Sequence, residues 1–350
     1  MLIDEFLAYK NDFTYPDGTR YAACLERIRR RLRQAQAFVL DRDAVAMAAN
    51  VSLSKPSSIV SALPWIKLPF DSTWIEFSNI EFRDAMTEAG SPNVKPEGTK
   101  AEIRKTGFLL REKRGVIQAD YIHLDRAVIG GQTHELPDLA PIRLYYTLNA
   151  DPDIDAGVPE IDPARFDPNL VEFKIRGRMR NRFKLLADDP AELRAEVSLK
   201  SRAFWGPHPD MAPIAEAMVK MTGEANTRQL EEYQAEEASR LFSMAILPAL
   251  ILLNCRNAVD VETVPAPEKL NKQRILKGKE PLLEHRIVKM HLSEARKRSI
   301  ARLGSAEARR AARGTLVMGH YKVRKSGIFW WRPHARSGHG KVRRTIVLTA

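Results

Sequence analysis

The sequence predicts an α+β protein with a mixed helical and β body and a small basic β-rich module at its C-terminal end. Three observations lead to this prediction: apolar residues at helical spacing at both ends of the body, β-branched and aromatic runs between them, and a strongly basic end. Of the 350 residues, 44% are hydrophobic and 29% are charged. That composition supplies a core and argues against a disordered or fibrous chain.

Residues 1–70 are predicted to be a helical N-terminal segment. Within residues 21–36 apolar side chains recur at helical spacing and arginines fill the other positions, which indicates an amphipathic helix with a basic face. Pro56 is placed as expected near the first turn of a short helix. Two shorter helices are therefore predicted after the first, over residues 42–50 and 54–62.

Residues 71–210 are predicted to be a β-containing part of the body. Arg114 and Gly115 separate two strand-like runs in the manner of a hairpin. Residues 151–168 are rich in proline and acidic side chains, which is typical of an acidic surface connector. Strands are predicted over residues 72–77, 106–110, 116–124, 142–148 and 171–175.

Residues 211–257 are predicted to be a helical segment that packs in the body, with a long helix over residues 230–253 that bends at Pro248. The apolar run 245–253 is far shorter than the ~20 residues that span a bilayer. Residues 1–10 lack the apolar core of a secretory signal. We therefore expect no membrane association and a location in the cytoplasm.

The basic residues are concentrated at the end of the chain. The formal net charge is +12, but residues 267–350 hold 22 Lys and Arg against 5 Asp and Glu, whereas residues 1–266 hold 34 against 39. An uneven distribution of this kind is typical of a protein that meets a polyanion. We expect residues 258–282 to be a linker and residues 283–350 to be the basic β-rich module, which includes a second basic element over residues 288–313.

The candidate site lies in this module, where basic side chains alternate with aromatic rings. Cations neutralise phosphates and flat rings stack on unpaired bases, so the pattern favours a nucleic-acid partner. Adjacent strand residues face opposite sides, so only one of Trp330 and Trp331 is available for stacking and the other packs in the core. The predicted nucleic-acid-binding residues are Lys322, Arg324, Trp330, Trp331, Arg332, His334, Arg336, Lys341, Arg343 and Arg344. Arg29, Arg30 and Arg33 would extend this surface if the first basic helix lay beside the module.

Two stretches near the end of the chain carry a resemblance. The first holds Lys269-Leu270-Asn271-Lys272, Gly278-Lys279 and Pro281-Leu282; the second holds Gly319-His320-Tyr321-Lys322, Trp330-Trp331, Pro333-His334 and Arg336. Together they resemble a pattern common in uncharacterised proteins of tailed phages and prophages, over roughly the last hundred residues. The resemblance implies a phage or mobile-element origin, and with it the cytoplasm of a bacterial host; it transfers no catalytic residues.

Three other interpretations stay open. An acidic protein surface, such as a virion-associated partner, would also attract the basic end. A metal-dependent nuclease would use Pro137-Asp138 with Glu172-Phe173-Lys174, since paired carboxylates hold a divalent metal and a lysine orients the attacking water. A zinc site would use His320, His334 and His339, but no Asp, Glu or Cys follows Glu307.

We therefore expect no catalytic residues, no cofactor and no bound metal. The sequence has no phosphate-binding loop, dinucleotide fingerprint or nucleophile elbow. Cys24 and Cys255 are too few for a disulfide framework. The type of nucleic acid and the oligomeric state stay open.

Overall fold

A computed structural model gives the structure of the chain. It describes residues 1–10, 13–88, 101–129, 132–148, 202–255, 257–290, 315–317, 320–331 and 334–336, together with residues 192, 195, 198 and 199. Within these residues the protein has a mixed α+β body, as predicted, built on one eight-stranded sheet.

The helices follow the amphipathic patterns of the sequence. The basic helix begins at Tyr21 and buries Leu25, Ile28 and Leu32 along one stripe. Asp41 accepts a hydrogen bond from the Ala44 N–H and so caps the next helix. The helices are α1 Leu2–Ala8, α2 Tyr21–Gln34, α3 Arg42–Ser54, α4 Pro56–Ala62, α5 Asn79–Glu88, α6 Ala212–Thr222, α7 Glu224–Leu241, α8 Leu247–Asn254 and α9 Glu268–Leu276.

The sheet has the strand order β6-β5-β4-β3-β2-β1-β8-β7. Strand β1 is parallel to β2 on one side and to β8 on the other, and every other neighbouring pair is antiparallel. Its strands are β1 Gln36–Leu40, β2 Thr73–Ser78, β3 Ala101–Lys113, β4 Val116–Ile129, β5 Gln132–Thr147, β6 Ala203–Pro207, β7 Val259–Val264 and β8 His285–Met290.

Helices cover both faces of this sheet. One face packs against α3, α4, α5, α7 and α8 in the larger core, with Phe108 and Tyr121 stacked at its centre. The other face packs against α1, α2 and α6, with Leu109 and Ile122 on the strands. Because neighbouring strand residues point to opposite faces, this division follows from the alternation along β3 and β4. We call the second face the α2 face.

The β3–β4 hairpin turns where the sequence predicts. Arg114 has φ 54° and Gly115 has φ 78°, so both turn residues adopt the left-handed region. Two consecutive positive φ values are typical of the two-residue type I′ turn, whose twist matches that of the strands. Glycine is well suited to this conformation and arginine is not.

The predicted long helix contains an irregular segment ahead of its proline. A π-helical turn, Phe242–Ile246, joins α7 to α8, and Pro248 lies at the start of α8. Proline lacks the N–H that would bond the carbonyl four residues before it. That carbonyl, on Met244, accepts a hydrogen bond from the Ser52 hydroxyl at 3.1 Å. This hydrogen bond links the irregular segment to α3.

The C-terminal part is joined to the body more closely than the sequence indicated. Residues 258–282, expected to be a linker, contain β7 and α9, and β8 lies inside the sheet between β1 and β7. The predicted strand 171–175, the acidic connector 151–168 and most of the basic element 288–313 lie outside the described residues. In the part of the chain that the structure describes, no helix combines the length and apolar character needed to cross a bilayer.

Candidate nucleic-acid interface

The candidate interface is a β-hairpin that packs on the helical side of the larger core. Strand β10 His320–Arg324 pairs with β11 Gly327–Trp331 through a turn at Lys325 and Ser326. The register places Tyr321 opposite Trp330 and Lys322 opposite Phe329. Since cross-strand partners share a face, the hairpin has one inner and one outer face with different chemistry.

The inner face is part of the core. Tyr321 and Trp330 are both 3% exposed, and their rings meet edge to face at 5.3 Å. The Tyr321 hydroxyl donates to the carbonyl of Pro248 at 2.8 Å. Asn257 accepts from the Trp330 N–H at 2.9 Å and donates to its carbonyl at 3.2 Å. The hairpin is therefore held by burial, by a hydrogen bond from β10 to α8, and by two hydrogen bonds between β11 and Asn257, which follows α8.

The outer face holds cations around an exposed ring. Trp331 is 39% exposed. The Lys322 ammonium lies 4.3 Å and the Arg324 guanidinium 5.7 Å from the centre of the Trp331 ring. Arg324 also lies 5.9 Å from the centre of the Phe329 ring, which is half-buried. These distances fall within the usual range of cation–π contacts.

The structure therefore distinguishes the two tryptophans, which the sequence did not. Trp330 is enclosed by the core and presents no ring face to a ligand, whereas Trp331 does. Two further predicted residues, His334 and Arg336, lie on β12 His334–Arg336, paired with β9 Thr315–Val317. The remaining predicted residues lie outside the described part of the chain: Arg332, Lys341, Arg343 and Arg344.

The arginines of α2 do not extend this interface. Helix α2 packs on the α2 face of the sheet, whereas the hairpin packs with the helices of the opposite face. Arg29 is half-buried and donates to the Tyr9 carbonyl. Arg33 pairs with Glu26 at 3.2 Å and with Glu280 at 2.8 Å. Helix α2 does not lie beside the hairpin, so these arginines do not extend its surface.

The residues of the two metal hypotheses are only partly described. Asp138 lies half-buried on β5 and accepts a hydrogen bond from Tyr21, while Glu172 and Lys174 lie outside the described residues. His320 and His334 lie on different strand pairs, and His339 is also outside. Among the described side chains, no group of three His, Cys, Asp or Glu is placed to hold a metal ion.

Sequence reasoning missed a buried ion-pair network on the α2 face. Asp120 on β4 is 1% exposed and accepts from the Arg143 Nε on β5 at 2.6 Å. The same oxygen, Oδ1, lies 3.1 Å from the His208 Nε2. Arg31 of α2 lies 3.6 Å from the other oxygen, Oδ2, and also pairs with Asp210. We call these five residues the Asp120 cluster.

The electrostatics of the cluster keep Asp120 ionised. Burial by itself raises the pKa of Asp120, but the hydrogen bond from His208 and the charges of Arg143 and Arg31 outweigh burial and hold that pKa well below its usual range. The His208 Nδ1 accepts from the Asp210 N–H at 3.2 Å, so its Nε2 carries the hydrogen that faces Asp120. The sequence marks only Asp120, as the single acid of the strand-like run 116–124, and does not relate it to its partners.

Comparison of the chain with protein-family models, with curated proteins and with solved structures finds no match.

Proposed function

We propose that this protein binds nucleic acid through the outer face of the β10–β11 hairpin, and that it originates from a phage or another mobile element. One observation supports the binding site most: Lys322 and Arg324 surround the exposed ring of Trp331 on a surface that the core does not use. The resemblance in the last hundred residues supports the proposed origin. The excess of 22 Lys and Arg over 5 acids in residues 267–350 also favours a polyanionic partner.

The chemistry of the outer face fits single strands better than duplexes. Lys322 and Arg324 neutralise phosphates on either kind of nucleic acid. An exposed ring gains from stacking only when the base is unpaired, and each such stack contributes about 1 to 3 kcal/mol. We therefore propose that Trp331 stacks on a base of a single strand while the two cations contact its backbone.

An acidic protein surface is the competing partner for the same cations. Such a surface would pair with Lys322 and Arg324 by charge, and the ring of Trp331 would add little. Binding that depends on both charge and ring therefore supports a nucleic-acid partner, and the experiment has to vary the two separately.

The charge is tested with Lys322→Gln and Arg324→Gln combined in the full-length protein. Fluorescence anisotropy of a labelled single-stranded oligonucleotide is measured across a salt series. Each lost phosphate contact flattens the slope of log affinity against log salt by about 0.7 for a single strand, so we expect a change of about 1.4. The matched control is Lys269→Gln with Lys272→Gln on α9, where both lysines are exposed and the same charge is removed.

The ring is tested with Trp331→Ala in the same assay. We expect single-strand affinity to fall by about five- to a hundred-fold and duplex affinity to change by less than about twofold. Equal losses on both would remove the stacking role. If the hairpin variants bind the oligonucleotide as the wild type does, or if no variant and no wild type binds at about 0.1 M salt, the proposed function is wrong.

A further inference from the structure

We propose that the Asp120 cluster, together with Arg111 beside it, is a binding site for a phosphate group. The site lies on the α2 face of the sheet, away from the β10–β11 hairpin. The inference therefore rests on different residues from those of the proposed nucleic-acid interface.

The strand register brings Arg111 next to Asp120. Leu109 on β3 lies directly opposite Asp120 on β4, and Arg111 lies opposite Gln118. Residues two apart on a strand share a face, so Arg111 and Asp120 are diagonal neighbours on the α2 face. Arg31 reaches the same place from α2, at 3.6 Å from Asp120.

The guanidinium groups around the cluster retain unused donors. The Nε atoms of Arg31 and Arg111 are both buried and have no hydrogen-bond partner. Among the described residues, no carboxylate forms an ion pair with Arg111. A buried donor without a partner costs free energy unless a ligand or water satisfies it.

The charges of the described residues favour an anion here. Two carboxylates, Asp120 and Asp210, are surrounded by four guanidiniums, those of Arg27, Arg31, Arg111 and Arg143. Burial lowers the pKa of Arg111; the charges of Asp120 and Asp210 raise that pKa, whereas the charges of Arg31 and Arg143 lower it. Repulsion among cations that are partly removed from water is relieved by a bound anion. Two N–H groups of one guanidinium can donate in parallel to two oxygens of a phosphate group. A phosphate group is therefore the ligand that fits these arginines best.

The cluster is open to solvent at one end. The side chain of Arg27 is 79% exposed and that of Arg31 is 23% exposed, whereas those of Asp120 and His208 are 1% and 0% exposed. A phosphate can therefore approach along α2 and meet Arg31 and Arg111, while the buried Asp120 and Asp210 hold Arg31 in place. The phosphate has two sources, the backbone of a nucleic acid and a free phosphate or phosphorylated small molecule.

The test uses the full-length protein and the substitution Arg111→Gln. Binding of inorganic phosphate is measured by isothermal titration calorimetry in a chloride buffer of low ionic strength, and binding of a short single-stranded oligonucleotide by anisotropy. Arg126→Gln is the matched control, because Arg126 is exposed on β4 six residues from Asp120 and its loss removes the same charge. We expect phosphate affinity to fall at least about tenfold in Arg111→Gln and to stay within about twofold in the control.

The oligonucleotide arm identifies the source of the phosphate. If Arg111→Gln weakens both ligands, the site takes a backbone phosphate; if it weakens inorganic phosphate alone, the site takes a free phosphate group. Phosphate affinity that is equal in Arg111→Gln and the wild type, or the absence of phosphate binding to the wild type, overturns the inference. The hairpin variants leave phosphate binding intact in every case, so failure of the hairpin proposal and failure of this one are distinguishable.

A thermal unfolding measurement separates a ligand site from a purely structural network. Arg111 forms no ion pair with a described carboxylate, and the attraction of Asp120 is opposed by burial and by the charges of Arg31 and Arg143, so Arg111→Gln should unfold at about the same temperature as the wild type. Added phosphate should raise the unfolding temperature of the wild type and not that of the variant. The opposite result would be a clearly lower unfolding temperature for Arg111→Gln, with no effect of phosphate on either the variant or the wild type. It would show that Arg111 serves the fold only.

Discussion

Gly107 shows how closely one residue can be constrained by its neighbour across the sheet. A Cβ at this position would lie 2.1 Å from the Cζ2 of Trp74, which is fully buried. Trp74 cannot move easily, because its Nε1 donates to the buried Glu76 at 2.8 Å. Glu76 also accepts from the N–H groups of Leu2 and Ile3 at 3.0 and 3.1 Å. One glycine therefore allows a tryptophan, a carboxylate and the start of α1 to pack together.

We expect Gly107→Ala to lower the free energy of unfolding by about 2 to 3 kcal/mol, because the added methyl overpacks the core. Urea unfolding followed by circular dichroism measures the loss. The control is the double variant with Trp74→Phe, which removes the ring atoms that clash. Its loss should be smaller than the sum of the two single losses, and simple additivity would show that the methyl does not meet Trp74.

Cys255 has a thiol that burial protects from ionisation. Burial raises the pKa of this thiol from 9.0 to about 12. The native protein should therefore react with a thiol reagent at pH 8 at Cys24, which is partly exposed, and at Cys255 only after unfolding. In the unfolded chain the thiol ionises near its ordinary pKa of 9.0, whereas in the folded protein it stays protonated up to about pH 12. The contribution of Cys255 to the free energy of unfolding is therefore complete below about pH 9 and is lost as the pH rises to about 12. Mass spectrometry of labelled peptides checks the order of reaction, and rapid labelling of Cys255 in the folded protein would contradict it.

At the scale of elements, the β10–β11 hairpin depends on one asparagine for its position on α8. Asn257 bonds both the N–H and the carbonyl of Trp330, as a neighbouring strand would. We expect Asn257→Ala to cost about 1 to 3 kcal/mol, because it leaves part-buried backbone groups without a partner. Hydrogen exchange should show faster exchange in the hairpin than in β4. Asn226→Ala, at an exposed helix position, is the control and should change neither quantity.

Elements governed by local pattern are those that the sequence predicted well. Helix α4 begins at Pro56, and the β3–β4 hairpin turns at Arg114 and Gly115, because proline and glycine restrict the backbone where they stand. The division of the two tryptophans was predicted only as an alternative, since alternation says that their faces differ and not which face is covered. Trp330 is the buried one because its face of the hairpin packs near Asn257 and Pro248. These two residues lie far away in the sequence, so no local pattern could show it.

Long-range pairing is the part that the sequence did not show. Strand β8 was assigned to a separate basic module, yet Ala37 of β1 lies opposite His285 of β8. No local signal relates strands so far apart in the chain. The Asp120 cluster was missed for the same reason: Arg31, Asp120 and His208 come from three separate parts of the sequence. Polar clusters assembled from several elements become visible only with the fold.

At the scale of the whole molecule, the sheet joins the two ends of the chain. The N-terminal strand β1 lies between β2 and β8, and β7 is reached only through β8. The described parts of the basic end therefore belong to the structural unit: β8 lies in the sheet, and the hairpin covers the core with Tyr321, Ile328 and Trp330. Tests of the candidate interface need point substitutions in the full-length chain, because removal of the basic end also removes a sheet strand.

This arrangement predicts the effect of truncation. A chain that ends at residue 266 lacks β8, which exposes the edge of β1 and leaves β7 without its neighbour. Thermal unfolding followed by circular dichroism should then be broad, or shifted to a much lower temperature than in the full-length protein. A chain that ends at Met290 keeps β8 and loses the residues that follow, among them the hairpin that covers the core, so it should unfold cooperatively at an intermediate temperature. Equal unfolding temperatures for the chain ending at residue 266 and the full-length protein would show that β8 is dispensable to the sheet, and the basic end would then be an independent module.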